Sequence, residues 1–252
     1  MGNSMKAMIF AAGLGTRLRP LTDIRPKALV ELSGRALLEI TLTRLRTFGI
    51  TEFIINVHHF ADQVIGYLKS HKNFGLRIEI SREEILLDTG GGLKKAAWFF
   101  LEDPARLDQP FLLHNVDVIS TIDLDRMCQF HKENHALATL AVQSRDSGRQ
   151  LLFNNQDKLC GRRASRDQQP EIVRPSDHLQ PLAFSGIHLI SPRLLPLLTE
   201  EGIFSIIPSY LRLSAQSQKI LAFRADQYYW RDLGRPSDLA QAAADLKQNI
   251  FA

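Results

Sequence analysis

A chain of 252 residues can bury a sizeable core, and 44% hydrophobic with 23% charged residues is the ordinary balance of a soluble globular protein. The formal net charge of +4 suits an anionic small-molecule substrate and makes no demand for nucleic acid. No apolar run reaches membrane-spanning length and no signal peptide is legible, so a cytoplasmic protein without membrane contact is expected. The two cysteines, Cys128 and Cys160, lack Cys-x-x-Cys spacing and read as reduced thiols rather than zinc ligands. Met5-Lys6 looks like a natural start, which leaves residues 1–4 as a cloning scar ahead of a single domain over 5–252.

In chain order, Lys6–Ala11 is the first expected strand. It is followed by an amphipathic helix over Ala36–Phe48, with Leu37, Ile40, Leu45 and Phe48 on one stripe and Gly49 placed to stop it. A strand over Phe53–Val57, a helix over Phe60–Ser70, a strand over Leu76–Ile80, a helix over Gly92–Leu101 and a strand over Phe111–His114 continue the alternation. Asp123–Glu133 reads as a helix, and Leu137–Val142 and Gln150–Phe153 as strands. Residues 154–181 read as polar excursions between strands. Then come a strand over Pro181–Ile190, a short helix over Pro192–Leu198, a helix over Ile203–Leu213, a strand over Lys219–Phe223 and a closing helix over Pro236–Gln248. Strands alternating with helices imply βαβ units, and ligands of such sheets sit at the carboxyl ends of the strands.

The segment Ala11-Ala12-Gly13-Leu14-Gly15-Thr16-Arg17-Leu18 falls at such an end. Gly13 and Gly15 let backbone N–H groups close around an anion, and Arg17 and Lys27 add fixed positive charge. Leu18 excludes the Gly-x-Gly-x-x-Gly dinucleotide fingerprint, and no Gly-Lys-Ser/Thr closes a Walker A loop. Two aspartates also follow strand-like runs: Asp117 after Phe111–His114, and Asp232 within Tyr229-Trp230-Arg231-Asp232-Leu233-Gly234. Paired carboxylates facing a phosphate loop suit magnesium, which takes oxygen ligands. Thr89 is placed to cap a helix, and Gly90 to Gly92 allow close backbone approach to a flat ligand. His58 and His59, adjacent on a strand end, point to opposite faces and are not a metal pair. His114 reads as a buried neighbour of the carboxylates, and Trp98, Phe99 and Phe100 as core.

The Ala-Ala-Gly-x-Gly-Thr-Arg-Leu run with Pro26-Lys27-Ala28-Leu29 resembles the signature of the sugar-1-phosphate nucleotidylyltransferases, and the likeness extends along most of the chain. It implies an α/β, Rossmann-like, three-layer α/β/α fold with a mostly parallel mixed sheet, the nucleotide-diphospho-sugar transferase fold. A nucleotide-binding half would span about 5–120 and an acceptor-sugar half about 121–235. It implies a nucleotide site at Ala11, Ala12, Gly13, Gly15, Thr16, Arg17, Lys27, Asp88, Thr89, Gly90 and Gly91. An acceptor site would use Asn115, Gly148, Ser185 and Gly186, and Asp117 and Asp232 would hold magnesium. Arg17 would clamp the leaving pyrophosphate and Lys27 would stabilise the α-phosphoryl group, so that Arg17, Lys27, Asp117 and Asp232 carry catalysis. The implied partners are a nucleoside triphosphate and a sugar-1-phosphate; oligomeric state is open.

Three departures stand out. Val116 occupies the usual glycine position, Asp88 the usual glutamate, and Cys160-Gly161-Arg162-Arg163 stands where many relatives carry Glu-Lys-Pro. Arg162 and Arg163 read as a solvated basic turn. The Thr-Gly-Gly-Gly loop leans toward the N-acetylmuramate-1-phosphate uridylyltransferases, with mannose-1-phosphate guanylyltransferases next. A phosphocholine cytidylyltransferase and a non-catalytic nucleotide-sugar sensor are the alternatives.

Overall fold

In the computed structural model the described residues are 5–165 and 168–248, so residues 1–4 lie outside them. The chain runs β1 Lys6–Phe10, β2 Glu31–Leu32, β3 Arg35–Ala36, α1 Leu37–Thr47, β4 Glu52–Val57, α2 Ala61–Ser70, β5 Arg77–Arg82 and α3 Asp88–Leu101. It continues with β6 Phe111–Asn115, β7 Val118–Ser120, α4 Leu124–Glu133, β8 Ala138–Gln143, β9 Gln150–Phe153, β10 Leu159–Arg163, β11 Glu171–Ile172 and β12 Gln180–Ile190. Last come α5 Ile206–Ala215, β13 Ile220–Arg224, β14 Trp230–Asp232 and α6 Pro236–Lys247.

Among the described residues, ten strands form one mixed sheet in the order β11-β10-β9-β12-β6-β1-β4-β5, with β8 and β13 branching from β12. The β6-β1-β4-β5 block is parallel, as βαβ connections require. The long β12 runs antiparallel to β6, β8 and β9 and joins that block to the rest. The sheet carries a layer on each face. Leu38, Leu42 and Leu45 of α1, Val64 and Leu68 of α2 and Met127 of α4 pack on one side with Ile9, Phe53 and Ile55. Leu93, Ala96 and Phe99 of α3 and Tyr210 and Leu213 of α5 pack on the other with Met8, Ile54 and Leu113. This is the expected three-layer α/β/α arrangement. A third, smaller cluster lets Leu239 and Ala242 of α6 cover Leu18, Leu37 and Leu233, which pins the glycine loop to the end of the chain.

Several elements differ from expectation for physical reasons. Cys160 to Arg163 is not a turn: it pairs with β9 and β11, and Arg162 Nε donates to Glu171 at 2.7 Å, so a polar stretch builds the sheet edge. The Cβ-free Gly161 permits this, since a Cβ there would lie 2.2 Å from the Glu171 carbonyl. Helix α3 begins at Asp88, four residues before the apolar periodicity. Its glycine run is therefore a helix turn rather than a loop. Pro192–Leu197 is 3₁₀, and α5 starts at Ile206, where Ser205 caps it by accepting from Ile207 N. Trp98 is half exposed, while Phe99 and Phe100 are core as expected. Both cysteines are free, and burial pushes their thiols up. No helix of the described residues is long and apolar enough to cross a membrane.

Candidate active site

Register decides where the chemistry collects. Phe10, the last residue of β1, lies beside Asn56 of β4 on one side and Asn115 of β6 on the other. The chain therefore leaves three adjacent parallel strands at one level, and a cavity of about 480 Å³ opens there. Ala11, Ala12, Gly13, Lys27, Asp88, Thr89, Asn115 and Asp117 line it, together with Asn56, Glu83 and Ile203.

The glycine loop is held from within. Gly15 sits at φ 64°, and its carbonyl accepts from Thr22 Oγ1 at 2.8 Å. Thr16 opens a 3₁₀ turn that carries Arg17 outward. Asn56 then joins this loop to the one across the cavity. Its Oδ1 accepts from Ala11 N at 2.8 Å, and its Nδ2 donates to Glu83 Oε1 at 2.7 Å. The second oxygen of Glu83 accepts from Leu87 N at 2.9 Å, so one buried carboxylate fixes the start of α3. Neither Asn56 nor Glu83 was expected from the sequence. The available signal was a polar residue inside the apolar run Phe53–Val57 and an acid at the end of the next strand. His58 Nδ1 lies 3.0 Å from the Glu83 carbonyl, a structural role.

At the start of α3 the expectations divide. Asp88, at φ 60°, accepts from Thr89 N at 2.6 Å, and both residues face the cavity. Thr89 does cap a helix, but a different one: its Oγ1 accepts from Ile206 N at 3.0 Å and so anchors α5. Gly90 and Gly91 engage their backbone N–H groups with another segment. Both N–H groups donate to Phe204 O, at 2.9 and 3.2 Å. A Cβ on Gly90 would lie 2.3 Å from the Phe204 ring, and one on Gly91 2.5 Å from the Gly202 carbonyl. Their lack of side chain serves the packing of 202–204 against α3.

Two carboxylates far apart in sequence meet through the antiparallel pairing of β14 with β7. Asp232 lies opposite Val118, and Leu233 N donates to Asp117 O at 2.7 Å. Asp117 forms an ion pair with Lys27, both side chains being largely buried at 13% and 12% exposure. Asp232 Oδ1 accepts from Gly234 N at 2.6 Å and stands 3.9 Å from Arg17 Nη2. Gly234 permits that approach, since a Cβ there would come within 2.6 Å of Arg17. Burial pushes the Asp232 carboxyl above its ordinary value and the Asp117 charge adds to this, while Lys27 and Arg17 pull it down. The four expected catalytic residues thus share one cluster at the cavity edge.

Val116, in the usual glycine position, is one of the residues that line the cavity. Its side chain packs with Ala11, Val118 and Ile122, and its N–H donates to Phe10 O at 3.2 Å. His114 is buried with Nδ1 2.7 Å from the Asn115 carbonyl, and burial holds its pKa down to about 4. On the acceptor side Gly186, at φ 72°, presses on Asn115: a Cβ would lie 2.7 Å from Asn115 Nδ2. Ser185 is fully buried with an unpartnered Oγ, and its carbonyl accepts from Trp230 Nε1 at 2.7 Å. Gly148 lies exposed on the β8–β9 loop with no neighbour at its Cβ position.

A glycine loop at the ends of parallel strands, two cations and two carboxylates brought together by the antiparallel β7–β14 ribbon suit a group-transfer enzyme acting on phosphates. Residues 6–150 match the family described as Nucleotidyl transferase, and the chain belongs to that family. It is 34% identical over 254 residues to the N-acetylmuramate alpha-1-phosphate uridylyltransferase of Caulobacter vibrioides, covering 96% of this chain and 97% of that protein. It is 28% identical to a mannose-1-phosphate guanyltransferase of Candida albicans, covering 93% of this chain but 62% of that longer protein. A putative glucose-1-phosphate thymidylyltransferase from Bacillus anthracis shares the fold, with a TM-score of 0.77 at 19% identity over 99% of this chain and 97% of that one.

Proposed function

We propose that the protein joins a nucleoside triphosphate to a sugar-1-phosphate, releasing pyrophosphate, with the sugar-phosphate oxygen attacking the α-phosphorus in line. The carrying observation is the convergence of Lys27, Arg17, Asp117 and Asp232 beside the Ala11–Gly13 loop. The nucleotide half comprises about 5–120 and the acceptor half about 121–235.

The loop N–H groups and Arg17 hold the β- and γ-phosphates, and Lys27 meets charge developing on the α-phosphoryl group. No side chain need act as a nucleophile, because aligning two bound phosphates in a dry cleft supplies much of the acceleration. Asp117 and Asp232 fit a divalent ion such as magnesium: two carboxylates from adjacent strand ends, with the remaining positions left to phosphate oxygens and water. When bound, that ion screens the phosphates from the carboxylates and from one another. Among the described residues no third His, Cys, Asp or Glu joins the pair, which suits an ion carried partly by its substrate. Lys27 is paired with Asp117 before substrate arrives, so binding exchanges one counterion for another. The reading places the reaction in the cytoplasm, with N-acetylmuramate-1-phosphate or a hexose-1-phosphate such as mannose-1-phosphate as acceptor.

The test is a pyrophosphate-release grid crossing UTP, GTP, CTP, dTTP and ATP with N-acetylmuramate-1-phosphate, mannose-1-phosphate, glucose-1-phosphate and phosphocholine, with magnesium. Release with one sugar-phosphate pair supports the reading; release with phosphocholine alone, or nucleotide binding with no release, overturns it.

A further inference from the structure

One cation near the cluster has no acid within ion-pair distance among the described residues, although burial lowers its pKa and the Asp232 charge opposes that. Arg145 follows the end of β8, and its guanidinium lies 3.7 Å above the centre of the Trp230 ring. Its Nη2 donates to the Phe184 carbonyl at 2.5 Å. Its Nε is shut off from water without any partner, and among the described residues no carboxylate pairs with it. The acid closest in sequence on the neighbouring strand, Asp226, is already engaged by Arg224 and by Ser144 N. A half-buried arginine with a dry, unbonded donor is costly to maintain, a cost that its stacking on Trp230 and its bond to Phe184 O offset only in part.

Its position supplies a reason for the rest. Trp230 and Asp232 are two residues apart in β14 and project from the same face. The ring under Arg145 therefore stands beside the Asp232 carboxylate. From the other direction, the pairing of β12 with β8 shifts register between Phe184 and His188. Within that irregular stretch the carbonyls of Phe184 and Ser185 take Arg145 and Trp230, and Gly186 touches Asn115 at the cavity. An irregularity in a ladder beside a site re-aims side chains. Here it fixes a flat cation on Trp230, on the Asp232 side of the cluster.

We infer that Arg145, stacked on Trp230, binds the phosphate of the acceptor and sets its approach to the nucleotide. The inference rests on the sugar-phosphate reading above. With Nε shut in and Nη2 already giving one proton to Phe184 O, the Nη1/Nη2 edge is the one left for a phosphate to meet with two parallel bonds. Stacking on indole fixes the plane without neutralising the charge. Lysine would keep the charge and lose the paired geometry.

Initial rates with the active pair from the grid, taken on wild type, Arg145→Met and Arg145→Lys, test this. The acceptor KM should rise about tenfold or more in Arg145→Met and less in Arg145→Lys, with the nucleotide KM unchanged. Inorganic phosphate should compete with the acceptor in wild type and lose that competition in Arg145→Met by a similar factor. Unchanged acceptor KM and phosphate inhibition in an active Arg145→Met overturns the inference and leaves the reaction standing. An equal rise in both KM values in both variants makes Arg145 a structural prop and also overturns it. A wild type silent across the whole grid overturns the reaction and the inference together.

Discussion

The same methyl group should have opposite effects in two helices of this protein. Gly66 lies on the exposed face of α2, and a Cβ there meets nothing within 4 Å. Alanine is favoured over glycine in a helix interior by up to about 1 kcal/mol, so Gly66→Ala should stabilise by that amount. Gly91 lies in the first turn of α3, and its Cβ would sit 2.5 Å from the Gly202 carbonyl oxygen and 3.0 Å from Leu87 Cβ. Ordinary carbon–oxygen contacts begin at about 3.3 Å, which leaves the methyl about 0.8 Å too close to backbone on the far side. Overpacking of this kind costs about 1–3 kcal/mol, and backbone yields less readily than a side chain, so the upper part of that range applies. After the propensity gain, a net loss of about 1–2 kcal/mol remains. In a chain of this size that is a fall in Tm of about 2–8 °C, against a rise of about 2–4 °C for Gly66→Ala. Gly91→Ala should also raise the nucleotide KM, because Asp88 and Thr89 precede it at the cavity wall. Thermal melts of both variants with nucleotide kinetics provide the assay. A Gly91→Ala protein melting at or above wild type would refute the claim that this turn is closed by the 202–204 segment.

Lys27→Met should lower kcat by about a hundredfold or more while the protein still folds, by analogy with removing a donor from a developing anion; single-turnover rates would show it. Asp117→Asn and Asp232→Asn should each lose magnesium-dependent turnover by at least as much and shift the metal titration of the rate to higher concentration, which a uniform loss at all metal levels would contradict. Away from the site, Arg77, and then Lys6, hold the Glu102 carboxyl down to about 2 from an ordinary 4.5, against opposing burial. A depressed acid stabilises the fold above its unfolded value and loses that contribution as pH falls through the folded one. Glu102→Gln should therefore melt lower at neutral pH, by about 1 kcal/mol given solvent screening, with the difference closing between pH 4.5 and about 2. A difference independent of pH would point to packing instead.

Much of this was legible in the residues. Alternating strands and helices announced the parallel block, because periods of 2 and 3.6 residues leave different apolar patterns. The glycine loop and Asp117 could be placed at strand ends for the same reason. What local pattern cannot carry is pairing between distant segments. β11, a two-residue exposed edge strand, and β10, which it covers, are strands because of their partners rather than their composition. Gly90 and Gly91 signal close approach without saying to what, and the sequence carries no hint that Phe204 and Gly202 press on them. Asn56 and Glu83 bond to each other across 27 positions, and Arg145 reaches Trp230 across 85, separations at which a single sequence offers no periodicity to read.

The ribbon of β7 and β14 has a bearing on how the protein comes into being. The glycine loop, Lys27 and Asp117 leave the ribosome in the first half of synthesis, whereas Asp232 emerges 115 residues after Asp117. The loop, Lys27 and Asp117 are therefore made well before the second carboxylate, and residues 204–206 that hold the start of α3 also come late. Turnover waits for β14 to zip onto β7 and for α6 to close over Leu18 and Leu37. The last elements made complete the cluster, so that chains stalled or clipped ahead of β14 would hold only one carboxylate of the proposed pair.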